Sequence, residues 1–293
     1  MKLTKIITLL RPHHWLKNFL IFVPLVTSHR FQVELLLDGV IAFFLFSFIA
    51  SCGYVINDIV DREFDRNHPF KRKRPIASKE ISLLQAIIIL IVLFMISLIC
   101  AFRFDLHFLL SLIIYFVVSL AYSFYFKKIV LLDIIVLATL YSFRIVAGSI
   151  ALEIPLSFWL IIFSMFFFLS LGCIKRLSEI VNYKDSPQKK LQGRGYLISD
   201  KNLVSQISLV SGFISALVIL LYIRSDEIKI LYINIHYLYF ISLIIIYWIS
   251  RINLKALRGD VHFDPILFAI QDKGSIVCLV LILCLILLAS NFF

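Results

Sequence analysis

Residues Ile41–Ser78 read IAFFLFSFIASCGYVINDIVDREFDRNHPFKRKRPIAS. An apolar run, Ile41–Ile56, gives way to a polar stretch in which Asn57, Asp58, Asp61 and Asp65 arrive together. If the helix continues past the apolar run, Asn57, Asp61 and Asp65 stand at i, i+4 and i+8 on one face, with Asp58 beside them. Carboxylates this close repel unless a cation lies among them, and a hard divalent cation takes oxygen ligands. Lys71, Arg72, Lys73 and Arg74 follow, a block of positive charge suited to phosphate. Acid and base in one loop point to a metal–diphosphate site. The plainer role is a solvated loop that ends a helix. Four ligand-type residues at helical spacing beside an apolar run weigh against it, because carboxylates at a membrane boundary are functional by default. Arg62 and Glu63 are expected to face solvent, and His68 to be a loop residue.

The rest of the chain sets that stretch in a membrane. Of 293 residues, 61% are hydrophobic, and the mean hydropathy is +0.97. Soluble domains are nearer half apolar. A net charge of +11 would suit nucleic acid, but basic loops are what membrane topology requires, so no nucleic-acid partner is expected. The start, Met1–Trp15, holds only a short apolar patch before Arg11, too short for a signal-peptide core. Cys52, Cys100, Cys173, Cys278 and Cys284 lie in or against apolar segments without a CxxC, which argues against a disulfide framework or a zinc site.

A spanning helix needs roughly 20 mostly apolar residues. About nine such segments are expected, near 16–30, 36–57, 81–102, 105–126, 129–151, 155–174, 203–223, 234–250 and 275–292. The first is short and carries Pro24, so it is expected to be tilted or broken. With the N-terminus on the cytoplasmic side, the long charged loops near 58–80, 175–202 and 251–274 all fall on that side. Only Arg30, Arg103, Arg224 and Lys229 then lie opposite, and Arg144 lies within a span. Such a bias is a positive-inside signal and sets the C-terminus outside. The expected fold is an all-α integral membrane protein, one transmembrane domain over 1–293.

Four further stretches carry polar residues with two roles open. Lys175–Asp185, KRLSEIVNYKD, begins at the end of an apolar helix. Lys175, Arg176 and Glu179 make either an intrahelical ion pair or a clamp, the two cations on phosphate and Glu179, with Asp185, on metal. Lys189, Lys190 and Arg194 either extend that clamp or set topology. Lys127 and Lys128 are the basic residues of a short inner loop. Asp133 and Arg144 lie within the next span, where a charge needs a partner or a polar cavity. Arg11–Asn18, RPHHWLKN, is either an interfacial anchor through Trp15 or a route for Lys17 and Asn18 into the interior. Gly259–Asp272 places Asp260, His262, Asp264 and Asp272 in an inner loop, as a lid or a further acidic contributor.

The pattern resembles the UbiA superfamily of membrane prenyltransferases. The likeness rests on NDxxDxxxD at Asn57–Asp65, KRP at Lys73–Pro75, and about nine spans with two polar motifs on one face. It implies helices around a central cavity that opens to the cytoplasmic face. RPxxWxKN at Arg11–Asn18, KRxxE at Lys175–Glu179 and DPxxFAxxD at Asp264–Asp272 are similar to the decaprenyl-phosphate phosphoribosyltransferase branch. That likeness implies transfer of 5-phosphoribosyl from 5-phosphoribosyl 1-diphosphate (PRPP) to a polyprenyl phosphate in a cell-wall precursor route. The second motif departs from the superfamily's acidic DxxxD run by being basic first, which suits a substrate with an additional phosphate.

The implied site has Asn57, Asp58, Asp61 and Asp65 as ligands of Mg²⁺. Asp58, Asp61, Lys175, Arg176 and Glu179 would act in catalysis. Lys17, Asn18, Arg74, Lys127, Lys128, Arg144 and Asp185 would hold substrates. Two other functions stay open: prenyl transfer from a prenyl diphosphate to an aromatic or polar-lipid acceptor, and transport of a lipid phosphate. The inverted repeats and paired broken helices common in transporters are not evident. Prenyl chain length and oligomeric state are not legible.

Overall fold

A long apolar segment must satisfy its backbone internally, and a helix does so within one segment. The computed structural model, which describes residues 3–66, 71–183, 191, 194–261 and 264–290, is accordingly helical. In chain order the α-helices are α1 (Leu3–Leu10), α2 (Val23–Thr27), α3 (Val33–Val60), α4 (Arg62–Arg66), α5 (Leu83–Ala101), α6 (Leu106–Phe124), α7 (Leu132–Ala151), α8 (Phe158–Val181), α9 (Lys201–Tyr222), α10 (Ile228–Leu231), α11 (Tyr239–Leu257), α12 (Pro265–Gln271) and α13 (Lys273–Ala289).

Among the described residues, seven helices are long and apolar enough to cross a membrane, and α12 with α13, bent by 85°, makes an eighth if the pair is one span. The chain is an integral membrane protein. The segment expected at 16–30 is broken. It is a 3₁₀ helix, Pro12–Phe22, followed by the five residues of α2. Arg11 enters it with φ 53°, and Pro12 and Pro24 each remove a backbone donor, so no continuous α-helix forms. The 155–174 expectation falls short at its C-terminal end: α8 runs on to Val181 and takes Lys175, Arg176 and Glu179 into the helix.

The chain forms two compact units. Met1–Phe124 with Phe143–Pro155 is one, and Tyr125–Ser142 with Leu156–Phe293 is the other, so α7 contributes to both. In the first unit α3 packs on α5 and α6. Ser82 opens α5 with a capping box, its Oγ accepting from Gln85 N at 3.2 Å and its N–H donating to Gln85 Oε1 at 3.0 Å. Such a cap contributes about 1 kcal/mol. The 3₁₀ helix lies so close to α7 that a Cβ on Gly148 would stand 2.1 Å from the Ile21 carbonyl oxygen, so only glycine fits there.

In the second unit α8, α9 and α11 pack together. Lipid offers apolar side chains no incentive to leave it, so spans associate through small residues and hydrogen bonds. Ser208, Ser211, Gly212 and Ser215 line the buried side of α9. Ser170 Oγ donates to the Ser208 carbonyl at 2.8 Å, and Ser205 Oγ donates to Asn253 Oδ1 at 2.8 Å.

Candidate functional site

In the first unit the acidic motif straddles a helix end. Asn57 and Asp58 lie in the last turn of α3, Asp61 is its C-terminal cap residue, and Asp65 is on α4. The helix is interrupted at Asp61, yet Asp61 N–H donates to the Asn57 carbonyl at 2.9 Å and Asp65 N–H to the Asp61 carbonyl at 2.8 Å. The i, i+4, i+8 spacing is therefore kept through the break.

Acids at a helix C-terminus oppose the helix dipole, and Asp58 and Asp65 are both buried, at 2% and 0% exposure. Two arginines offset this. Arg11 NH2 reaches Asp58 Oδ1 at 2.5 Å. Arg74 NH1 bridges both acids, 3.1 Å from Asp58 Oδ1 and 2.6 Å from Asp65 Oδ2. Asn57 Nδ2 donates to Ser123 Oγ at 3.1 Å. Asp61 is half-buried, and among the described residues no ion pair engages it. Arg62 is half-buried too and Glu63 is exposed, with Glu63 on Arg66 at 2.9 Å. His68 lies outside the described residues.

The donor set fits a hard cation. Asp65 Oδ1 is buried without a hydrogen-bond partner among the described residues, and Asn57, Asp58, Asp61 and Asp65 offer only oxygen atoms as ligands. Among the described residues no three His, Cys, Asp or Glu side chains stand in a ready cluster. Guanidinium groups hold two of the four members instead.

Also in the first unit, Lys17 and Asn18 of the Arg11–Asn18 stretch are buried. Asn18 Nδ2 donates to Ser47 Oγ at 2.9 Å, and Asn18 Oδ1 accepts from Arg144 Nε at 2.9 Å. Arg144 NH2 donates to the Tyr115 hydroxyl at 2.6 Å and lies over the Tyr115 and Phe46 rings. Trp15 Nε1 donates to Ser51 Oγ at 3.0 Å, so its polar edge is tied to α3.

In the second unit, α8 presents the basic motif. Arg176 is fully buried and pairs with Asp133 Oδ2 of α7 at 2.7 Å, where Asp133 is also fully buried. It donates as well to Glu179 one turn on. Glu179 lies 3.7 Å from Arg194 Nε. Lys175 is a quarter exposed and points elsewhere, its ammonium 3.3 Å from Asp264 Oδ2. Asp264 also accepts from the Tyr141 hydroxyl at 3.1 Å and caps α12 through Ile266 N–H. The intrahelical pairing foreseen for this motif thus holds for Arg176, while Lys175 turns to the loop before α12. Asp272, whose role the sequence left open, caps α13 through Ser275 N–H and pairs with Arg251 at 2.5 Å and Lys255 at 2.7 Å. Lys127 and Lys128 form a short 3₁₀ turn, Lys128 exposed. Asp185, Lys189, Lys190 and His262 lie outside the described residues.

Tyr196 is the residue that sequence reasoning missed. It is fully buried, donates to Asp133 Oδ1 at 2.6 Å and accepts from Leu131 N–H at 2.8 Å. Burial, then the hydrogen bond and charge of Asp133, push its phenol well above the usual range, so it stays a donor. A tyrosine in a charged loop carries no sequence signal for this; only the fold brings it to α7.

The sequence pattern of the UbiA prenyltransferase family matches residues 19–258. The nodulation protein NoeC of Azorhizobium caulinodans is 35% identical over 92% of this chain and 88% of its own. The decaprenyl-phosphate phosphoribosyltransferase of Mycobacterium tuberculosis is 35% identical over 60% of each chain. Among solved structures, a UbiA homologue from Archaeoglobus fulgidus bound to geranyl diphosphate (GPP) and Mg²⁺ superposes with TM-score 0.68 at 19% identity, over 96% of this chain and 99% of the other. A digeranylgeranylglyceryl phosphate synthase superposes with TM-score 0.69 at 17% identity, over 98% of both chains. At those identities the structures speak for the fold.

Proposed function

We infer that this chain, which belongs to the UbiA prenyltransferase family, transfers 5-phosphoribosyl from PRPP to a polyprenyl phosphate. The C1–O bond to diphosphate breaks, a lipid phosphate oxygen bonds to C1, and diphosphate leaves. The observation that carries this choice of substrate is Lys175. In the second motif, where the superfamily usually has carboxylates, this cation is a quarter exposed and, among the described residues, pairs with Asp264 at 3.3 Å. A partly exposed cation there suits the 5-phosphate of PRPP. The partial likeness to the mycobacterial phosphoribosyltransferase supports the same substrate.

The acidic motif takes the diphosphate end. Asn57, Asp58, Asp61 and Asp65 would hold Mg²⁺, which when bound neutralises the charge that develops on the leaving diphosphate. Arg74, already at the rim of those acids, takes a diphosphate oxygen. Arg176 and Glu179 are positioning residues in this scheme, because Asp133 holds Arg176 fully buried. Asn18 and Arg144 likewise fix the segment that carries Lys17. Lys17, Lys127 and Lys128 are the candidates for the lipid phosphate. The whole of 1–293 serves as one functional domain in a bacterial inner membrane, with the N-terminus and basic loops cytoplasmic and the C-terminus outside, as the distribution of Lys and Arg favours.

Prenyl transfer from a prenyl diphosphate is the second possibility, favoured by the GPP bound to the Archaeoglobus homologue of the same fold. One assay separates them. Purified protein with Mg²⁺ receives ribose-labelled PRPP and a polyprenyl phosphate in one tube, and labelled prenyl diphosphate with mixed acceptors in another. EDTA-sensitive passage of ribose label into the lipid phase is expected. Label moving only from the prenyl diphosphate would overturn the phosphoribosyl assignment.

A further inference from the structure

In the second unit, a groove of about 420 Å³ runs between α11 and α13. Its walls are Leu243, Ile244, Val277 and Leu281, with Tyr247 and Lys273 toward one end. From Lys273 to Leu281 along α13 is about 12 Å at 1.5 Å per residue. The groove is apolar along that length and basic at its head. Lys273 is exposed, and among the described residues no carboxylate pairs with it. Arg251 lies directly over Gly274, where a Cβ would stand 2.5 Å from the guanidinium carbon. Lys255 joins them on Asp272. Two cations therefore share one carboxylate, with a third, Lys273, next to it in the chain.

This excess has no internal use. Asp272 already satisfies Arg251 and Lys255 and caps α13, leaving the Lys273 ammonium over. The chain bends by 85° between α12 and α13 at Asp272, so the cations stand at the N-terminal end of the apolar helix α13. Tyr247, exposed and carrying a hydroxyl, has the composition of a residue at that boundary. An anionic head above a single apolar chain matches this arrangement end to end, and basic pockets between spanning helices recognise lipid head groups in this way.

We propose that the α11–α13 groove is a binding site for an anionic phospholipid of the surrounding bilayer, its phosphate on Lys273 and Arg251 and one acyl chain along Leu243, Val277 and Leu281. The site uses neither the residues of the acidic motif nor Lys175, and it does not depend on which group the enzyme transfers.

The test is native mass spectrometry of the full chain released from nanodiscs that hold equal phosphatidylglycerol and phosphatidylcholine, with thermal stability in detergent as a second readout. The wild type is expected to retain phosphatidylglycerol and to be stabilised more by it than by phosphatidylcholine. Lys273→Glu is expected to lower retention about tenfold, and Val277→Trp, which fills the groove, to lower it without changing charge. Both variants should keep the wild-type circular dichroism. Equal retention of the two lipids by the wild type would overturn the proposal. So would unchanged selectivity in both variants, or equal stabilisation by inorganic phosphate alone, which would leave the apolar groove without a part.

Discussion

Arg176 and Asp133 meet at 2.7 Å on neighbouring helices with neither side chain exposed. A buried ion pair of this kind is costly to form and costlier to halve, because removing one partner strands the other charge. Asp133→Ala is expected to destabilise the protein by about 3 kcal/mol or more. Asp133→Leu with Arg176→Met should recover much of that loss while leaving transfer impaired, since Glu179 and Arg194 lose their anchor. Thermal unfolding in detergent alongside the transfer assay checks this. A double variant no more stable than the single one would argue against the pair.

Arg74 holds Asp58 and Asp65 together, and it occupies the space between carboxylates that a divalent cation would need. Arg74→Gln is therefore expected to raise affinity for Mn²⁺ in the absence of diphosphate roughly tenfold, the worth of a charge-assisted contact, while lowering turnover. Electron paramagnetic resonance titration of Mn²⁺ reads the first effect without any reaction. Weaker Mn²⁺ binding by the variant would show that Arg74 supports the metal site rather than competing with the ion.

Asp61 is the member of the acidic set that no described ion pair engages. Asp61→Ala is expected to abolish turnover while the protein stays folded in detergent, and EDTA should abolish wild-type turnover, with Mg²⁺ restoring it. Near-normal activity of the variant would remove the metal assignment.

Lys175→Met is expected to lower kcat/KM for PRPP about a hundredfold, as loss of one positioned donor to a phosphate does, with the circular dichroism unchanged. Competition kinetics with ribose 5-phosphate narrows the cause. The wild type should be inhibited and the variant should not, if Lys175 reads the 5-phosphate.

Tyr196 donates to Asp133 and accepts from Leu131 N–H. Tyr196→Phe should cost about 1–3 kcal/mol by leaving both groups unpaired. The native phenol keeps its proton to a higher pH than the unfolded chain does. The stability it contributes is complete below about pH 10 and falls as pH climbs toward the raised native value. Stability measured between neutral pH and strong alkali should thus converge for wild type and variant at the alkaline end.

Apolar length determined the spans. Each run of about 20 residues had to become a helix in lipid, so α3, α5, α6, α7 and α9 lie close to where composition puts them. The acidic motif was also legible, because its spacing records one helical face. Proline chemistry marked the first segment as irregular, but whether it broke or bent depended on what packed against it. Gly148 admits Ile21 at a distance that no sequence pattern encodes. Partner choice was beyond local reading for the same reason. Lys175 and Arg176 are adjacent in sequence, yet helical geometry turns one toward Asp264 and buries the other on Asp133. Tyr196 reaches α7 from a distant loop. Spacing along the chain fixes which residues share a face; only tertiary packing decides what each face meets, because burial and ion pairing are properties of the neighbours that the fold supplies.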